Sequence, residues 1–237
     1  MNKKLIYQFS STKTEGDKSM LDLLGGKGAN LAEMSTLGIN VPPGFTVTTE
    51  VCNYFIENKS FPDKFDSELK KALANLEKIT KKKFNDDKTP LLLSVRSGGK
   101  VSMPGMMDSI LNIGINDKNV DALAANFNDE RFALDSYRRL IQMYGNVVLE
   151  IEMDRFEAII DNKKRIDGVE KDNDFNSEQL IWIIDAFKTT VERFAENPFP
   201  QDPVIQLKGA IEAVFKSWLN KRAVTYRKIN NIPNNWG

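Results

Sequence analysis

The chain has 237 residues, 41% of them hydrophobic, and its 33 Lys+Arg are balanced by 33 Asp+Glu. Zero net charge gives no global field to draw it to nucleic acid or to an anionic membrane, which favours a small ligand or a protein partner. There is no histidine, so His-dependent triads and His metal sites are excluded, and the single Cys52 excludes an intrachain disulfide or a cysteine-cluster metal site.

The opening MNKKLIYQFSSTK has too few apolar residues for a signal peptide, and no apolar run approaches the roughly 20 residues that span a bilayer. A cytoplasmic protein is expected. "KLIYQF" reads as a short strand. "LDLLGGKGANLAEMSTLG" reads as a glycine-rich turn feeding a helix with Leu31, Met34 and Leu37 as its apolar face and Gly38 as its stop. "INVPPGFTVTT" predicts a turn and a strand over 45–48, with Thr48 or Thr49 capping a helix through "EVCNYFIEN". Over 66–84, Leu69, Leu73, Leu76 and Ile79 recur at helical spacing, and the lysines between them read as a solvated face.

"LLLSVR" and "SILNIGI" predict strands on either side of the loop "SGGKVSMPGMMD". From about 118 to 230 the pattern is almost wholly helical, ending in "PVIQLKGAIEAVFKSWLNKRAVTYRKI" as one helical stretch with Asp202 as N-cap and Pro203 at its first position. The polar "DGVEKDNDFN" and the proline-rich "NPFPQDP" are the two breaks. A small mixed part is thus followed by a helical part.

Two glycine-rich segments could carry chemistry. In "GGKGAN", Gly26 and Gly28 allow close backbone approach, Lys27 adds a positive charge, and the start of the following helix offers N–H groups to an anion. The spacing is neither that of a P-loop nor G-x-G-x-x-G, and a tight strand-to-helix turn with a solvated lysine is the other reading. In the loop after "LLLSV", Arg96 would hold a fork of donors suited to phosphate oxygens at the sheet's edge. Gly98, Gly99 and Gly105 loosen the backbone, while Met103, Met106 and Met107 could pack as an adaptable lid over a flat ring. The competing reading makes the methionines gap-filling core and Arg96 a structural ion pair. Arg138 and Arg139 are adjacent on a helix and cannot both face a core. Arg139 could meet another domain, or both could be surface arginines pairing with Asp135 or Glu130.

"LLGGKGANLAEMSTLGINVPPGFTVTT", "LLLSVRSGGKVSMPGMMDSILNIGIND", "RFALDSYRRLIQMYG" and "AVFKSWLNKRAVTYRKINNIPNNWG" together resemble the N-terminal part of the pyruvate, phosphate dikinase family, from about residue 5 onward. Phosphoenolpyruvate synthases share the GGKGANL segment and the V-R-S loop start, but "SMPGMMDSILN" is similar to the dikinase loop. The resemblance implies an α+β fold: the first subdomain of an ATP-grasp fold (1–117 and 203–237) with an inserted all-helical subdomain (118–202). It implies that ATP, phosphate and pyruvate are converted to AMP, pyrophosphate and phosphoenolpyruvate. By resemblance, Lys27 and Arg96 hold the ATP phosphates, Gly26, Gly28, Gly98, Ser102, Gly105 and Met107 contribute to the nucleotide site, and the loop 97–107 covers the triphosphate. Gly99 stands where the family usually has alanine.

The resemblance further implies partners outside these residues. A second ATP-grasp subdomain would carry the Mg2+ ligands, a swivelling domain the phosphohistidine, and a barrel would bind pyruvate; a homodimer is compatible. The chain is expected to be a piece of such an enzyme, either excised or a naturally short product, and inactive alone. A stand-alone binding module that has lost chemistry, or the same segment of a phosphoenolpyruvate synthase-like enzyme, are the alternatives. Retention of Lys27, Arg96 and the whole loop favours the enzyme.

Overall fold

A computed structural model describes residues 4–236. Helices dominate, and the strands among the described residues form two small two-stranded sheets, so the protein is a mixed α+β chain. The chain divides into two compact units, one comprising the described residues of Met1–Lys81, Arg96–Asp108 and Val214–Gly237, the other Lys82–Val95 and Ser109–Ala213.

In the first unit, β1 (Ile6–Phe9) pairs antiparallel with β2 (Gly44–Val47), with Ile6 opposite Val47 and Phe9 opposite Gly44. The strand's entry is fixed by Glu68, whose Oε2 accepts the N–H groups of Leu5 and Ile6 at 2.8 and 3.2 Å. Glu68 lies on α3 (Phe65–Thr80), which buries Leu69, Leu73 and Leu76 as its spacing predicts. Between the strands runs α1 (Leu21–Thr36), and α2 (Thr49–Asn58) follows β2. Thr48 occupies the N-cap position of α2, but its hydroxyl makes no capping bond and lies buried.

The predicted apolar face of α1 is not the one it buries. Leu37 and Met34 are exposed, and the buried stripe is Leu24, Gly28, Ala29, Ala32 and Ser35. Small residues win because the helix lies very close to β2: a Cβ at Gly28 would come within 2.6 Å of Thr46 Cγ2. Gly38 does end the helix, with φ 77° and its N–H on the Ser35 carbonyl at 3.2 Å.

The second unit holds β3 (Leu93–Arg96), whose last residue enters the first unit, and β4 (Ser109–Ile113). Its helices are α4 (Val120–Phe127), α5 (Glu130–Val147), α6 (Met153–Asp167), α7 (Ser177–Ala195) and most of α8 (Pro203–Ser217). The central α5 packs against α4, α7 and β4, burying Leu134, Tyr137, Ile141 and Tyr144. Its start is capped by Asp129, which accepts the Phe132 N–H at 2.8 Å, and α7 opens with a reciprocal Asn176–Gln179 capping box.

The stretch 203–229 is not one helix. It breaks after α8 at Trp218, where Trp218, Leu219 and Asn220 make tight i to i−3 bonds, and restarts from Asn220 as α9 (Lys221–Ile229). Burial of the Trp218 ring, 2% exposed, and of Ala223 fixes this corner. Asn220 occupies the N-cap position of α9, but its side chain donates to Asp108 and makes no capping bond.

Candidate functional site

The two glycine-rich segments meet within the first unit. Gly25 interrupts α1 with φ 64° and ψ 169°, a conformation open only to glycine, and its missing side chain matters doubly: a Cβ there would sit 1.5 Å from the Gly98 carbonyl oxygen. The loop therefore rests directly on the turn. The Gly26 N–H donates to Gly99 O at 3.0 Å, and Lys27 Nζ donates to Ser97 O at 2.7 Å.

The far end of the loop is tied down separately. Asp108 pairs with Arg222 of α9, accepts from Asn220 Nδ2 at 3.1 Å, and donates its N–H to Ser217 Oγ at 3.3 Å. Arg222 Nε also donates to Met106 O at 3.1 Å. Met103 is buried with Trp218 and Ala223, and Met106 and Met107 pack on the same cluster with Tyr226, Ile232 and Trp236. The methionines thus anchor the loop's second half, while the glycines present its first half to α1.

Three positive charges here lack a carboxylate. Lys100 pairs with Asp22 and Arg222 with Asp108, but among the described residues Lys27, Arg96 and Arg227 make no ion pair. Arg96 ends β3 and is exposed. Arg227 is buried, donating from Nη1 to Trp218 O at 2.6 Å and from Nε to Asn234 Oδ1 at 3.2 Å, its guanidinium 4.0 Å from the Trp218 ring centroid. Loss of solvent and then the nearby Arg96 guanidinium hold the Lys27 ammonium below the ordinary lysine value. Two cations that repel one another, neither ion-paired among the described residues, create an excess of positive potential that an anion would relieve.

Of the residues singled out from sequence, Gly26, Lys27 and Gly98 come together here, with Arg96 near enough to act on Lys27. Gly28 is instead buried against Thr46. Ser102 is exposed, Gly105 (φ 71°) has open space around it, and Met107 belongs to the tryptophan cluster. Arg139 lies in the second unit, about half exposed, its Nε 2.8 Å from Asp135 Oδ2. Sequence reasoning passed over Gly25, Lys100, Trp218, Arg227 and Trp236. Two of the chain's three tryptophans falling in the polar, basic stretch after 217 was the available hint.

The family model described as "Pyruvate phosphate dikinase, AMP/ATP-binding domain" matches residues 21–83 and 56–236. The chain belongs to the pyruvate, phosphate dikinase family. It is 52% identical over 236 residues to a pyruvate, phosphate dikinase of Rickettsia conorii, 48% over 236 residues to that of Clostridium symbiosum, and 47% over 235 residues to that of Rhizobium meliloti. Each alignment covers 99% of this chain but only 26–27% of the relative, so the chain spans about a quarter of the length of the dikinases it matches. The glycine turn, Arg96, the loop and the tryptophan corner all lie within the region matched to the family's AMP/ATP-binding domain. Among the described residues no helix is long and apolar enough to cross a membrane, and no group of three or more His, Cys, Asp or Glu could hold a metal ion.

Proposed function

We propose that this chain holds the phosphates of ATP for a pyruvate, phosphate dikinase, with Lys27 and Arg96 as the principal cations and the loop 97–107 as cover. One observation carries the reading: among the described residues, Lys27 and Arg96 stand without a carboxylate partner, beside a glycine turn inside the AMP/ATP-binding region. Lys27 gives one N–H to the Ser97 carbonyl, and the Gly26 N–H is taken by the Gly99 carbonyl, which seats the loop on the turn. The Lys27 ammonium has two further N–H donors, to which a phosphate oxygen offers a full negative charge, and charge-assisted bonds are roughly twice as strong as neutral ones. Phosphoryl transfer spreads charge over the phosphate oxygens, so cations fixed there lower its barrier.

In the whole enzyme, ATP, phosphate and pyruvate would yield AMP, pyrophosphate and phosphoenolpyruvate, the phosphoryl group travelling on a histidine of a swivelling domain. On this reading 1–117 and 203–237 form the first ATP-grasp subdomain and 118–202 the inserted helical one, in a cytoplasmic protein, with Arg139 toward the swivelling domain. Magnesium would accompany the nucleotide, but the residues around Lys27 and Arg96 are cationic and do not fit a magnesium site. What this chain's residues supply is charge, orientation and exclusion of water.

The test is titration of the 237-residue chain with ATP and magnesium, following backbone amide shifts. Shifts concentrated at 25–28 and 98–105 are expected. Lys27→Ala or Arg96→Ala should each weaken binding roughly ten- to a hundredfold, the loss of one charged contact of about 1.5–3 kcal/mol. A folded chain showing no shifts at millimolar ATP would sink the reading.

A further inference from the structure

The loop's first half is held from behind by the last described turn of the chain, Asn234–Trp236. The Trp236 carbonyl accepts the Lys100 N–H at 3.3 Å, and the Lys100 ammonium lies 4.5 Å from the centroid of the Trp236 ring. The same ammonium pairs with Asp22, in the first turn of α1 and three residues before the Gly25 break. Lys100 thus joins the loop to the helix start while its charge sits against an indole. Trp236 is itself fixed: it belongs to the apolar cluster of Met103, Trp218 and Ala223. Trp218 Nε1 donates to Asn234 O at 2.8 Å, and the buried Arg227 bonds both Trp218 O and Asn234 Oδ1. A side chain at Gly99 would meet the Trp218 ring at 3.2 Å and the Trp236 carbonyl oxygen at 3.7 Å, so the loop is seated on the Trp218 indole and the Trp236 backbone.

We propose that Trp236 is a positioning residue for the nucleotide site, acting through Lys100 to hold the 97–100 backbone against Gly26 and Lys27. It touches no phosphate in this role. Its ring orients Lys100 by a cation–π contact, Lys100 bridges to Asp22, and the loop backbone between them is kept where Ser97 and Gly99 meet α1. The inference rests on the ATP-site reading, but the latch has a readout that needs no nucleotide.

The experiment compares wild type, Trp236→Ala, Trp236→Phe and Lys100→Met in the 237-residue chain. Amide hydrogen exchange without nucleotide is measured first, then ATP affinity by calorimetry. In Trp236→Ala the amides of Lys100 and Gly26 should exchange roughly tenfold faster, with Ile110 on β4 unchanged as a check on folding. Trp236→Phe, which keeps a weaker ring contact, should recover most of the protection. Lys100→Met leaves both indoles intact and should reproduce the alanine effect, and adding Trp236→Ala to it should change little more. ATP affinity should fall severalfold in step with the exchange. Unchanged exchange at Lys100 and Gly26 in both Trp236→Ala and Lys100→Met overturns the latch. Faster exchange with unaltered ATP affinity overturns its role in nucleotide positioning. Wild-type protection without any ATP binding overturns the ATP-site reading and the nucleotide-positioning role, and leaves the Trp236–Lys100 contact as a loop anchor alone.

Discussion

Arg138 and Arg227 are each 2% exposed, yet the two units keep them in opposite ways. In the helical unit, Arg138 donates twice to Asp135 Oδ1, at 2.9 and 2.7 Å, stands 3.7 Å from Asp172 Oδ2, and reaches Gln142 at 3.2 Å. Arg139 takes the other oxygen of Asp135, and Lys164 pairs with Asp172 at 2.6 Å. Burial alone would raise the Asp172 carboxyl; Lys164, Arg138 and Arg139 together bring it below the ordinary carboxylate range. In the glycine-loop unit, Arg227 has carbonyl and amide oxygens and an indole face, and among the described residues Lys27 and Arg96 have no carboxylate either. Charge that is answered locally holds a fold together. Charge left unanswered, beside glycine backbone, is available to a ligand.

The sharpest way to break that contrast is to remove an answer where one exists. Asp135→Ala leaves Arg138 buried with a diminished partner set and should destabilise the helical unit by about 3–5 kcal/mol, read from urea unfolding by circular dichroism. Arg96→Ala removes an exposed cation from the other unit and should leave stability within about 0.5 kcal/mol. If the two substitutions cost the same, the distinction between structural and available charge does not hold for this protein.

Next in size is the glycine contact. Gly25→Ala forces a side chain into a backbone region nearly closed to it, worth about 1–3 kcal/mol, and drives a Cβ into the Gly98 carbonyl. The loop should lift from α1, so the Gly26 amide loses its partner and exchanges faster, and ATP binding falls. Gly105→Ala, where nothing lies within 4 Å, should carry only the cost of its positive φ and leave Gly26 protected. Equal effects at both positions would argue against a contact specific to Gly25.

How much of this was legible in the sequence differs between the units. Helices with long apolar side chains at regular spacing, such as α3, were readable because burial of large residues dominates their packing. The buried face of α1 was not, since Gly28, Ala29, Ala32 and Ser35 carry little hydrophobic pattern and are buried because closeness to β2 demands small size. The break at Trp218 was hidden by a continuous helical period on both sides; only the tertiary demand to bury that ring reveals it. Lys27 and Arg96 could be picked out by type and glycine context. Trp236 and Lys100 could not, because their contact joins residues far apart in sequence with no local spacing to betray it.

The smallest effect is the most specific to Lys27. Its ammonium titrates below the ordinary lysine value because it has lost solvent and faces Arg96. Below that depressed value it is charged in both folded and unfolded chains, and its unfavourable placement weighs on stability in full. Between the depressed and ordinary values the unfolded chain binds more protons, so stability rises with pH across that window. A triphosphate reverses the cause: its negative charge favours the protonated amine, so within the same window ATP binding must take up a proton and weaken as pH rises. Calorimetry in two buffers of different ionisation enthalpy measures that proton directly. Lys27→Met should abolish both the uptake and the pH slope. Proton uptake that persists in Lys27→Met would assign the linkage to another group and leave Arg96 as the cation nearest the phosphates.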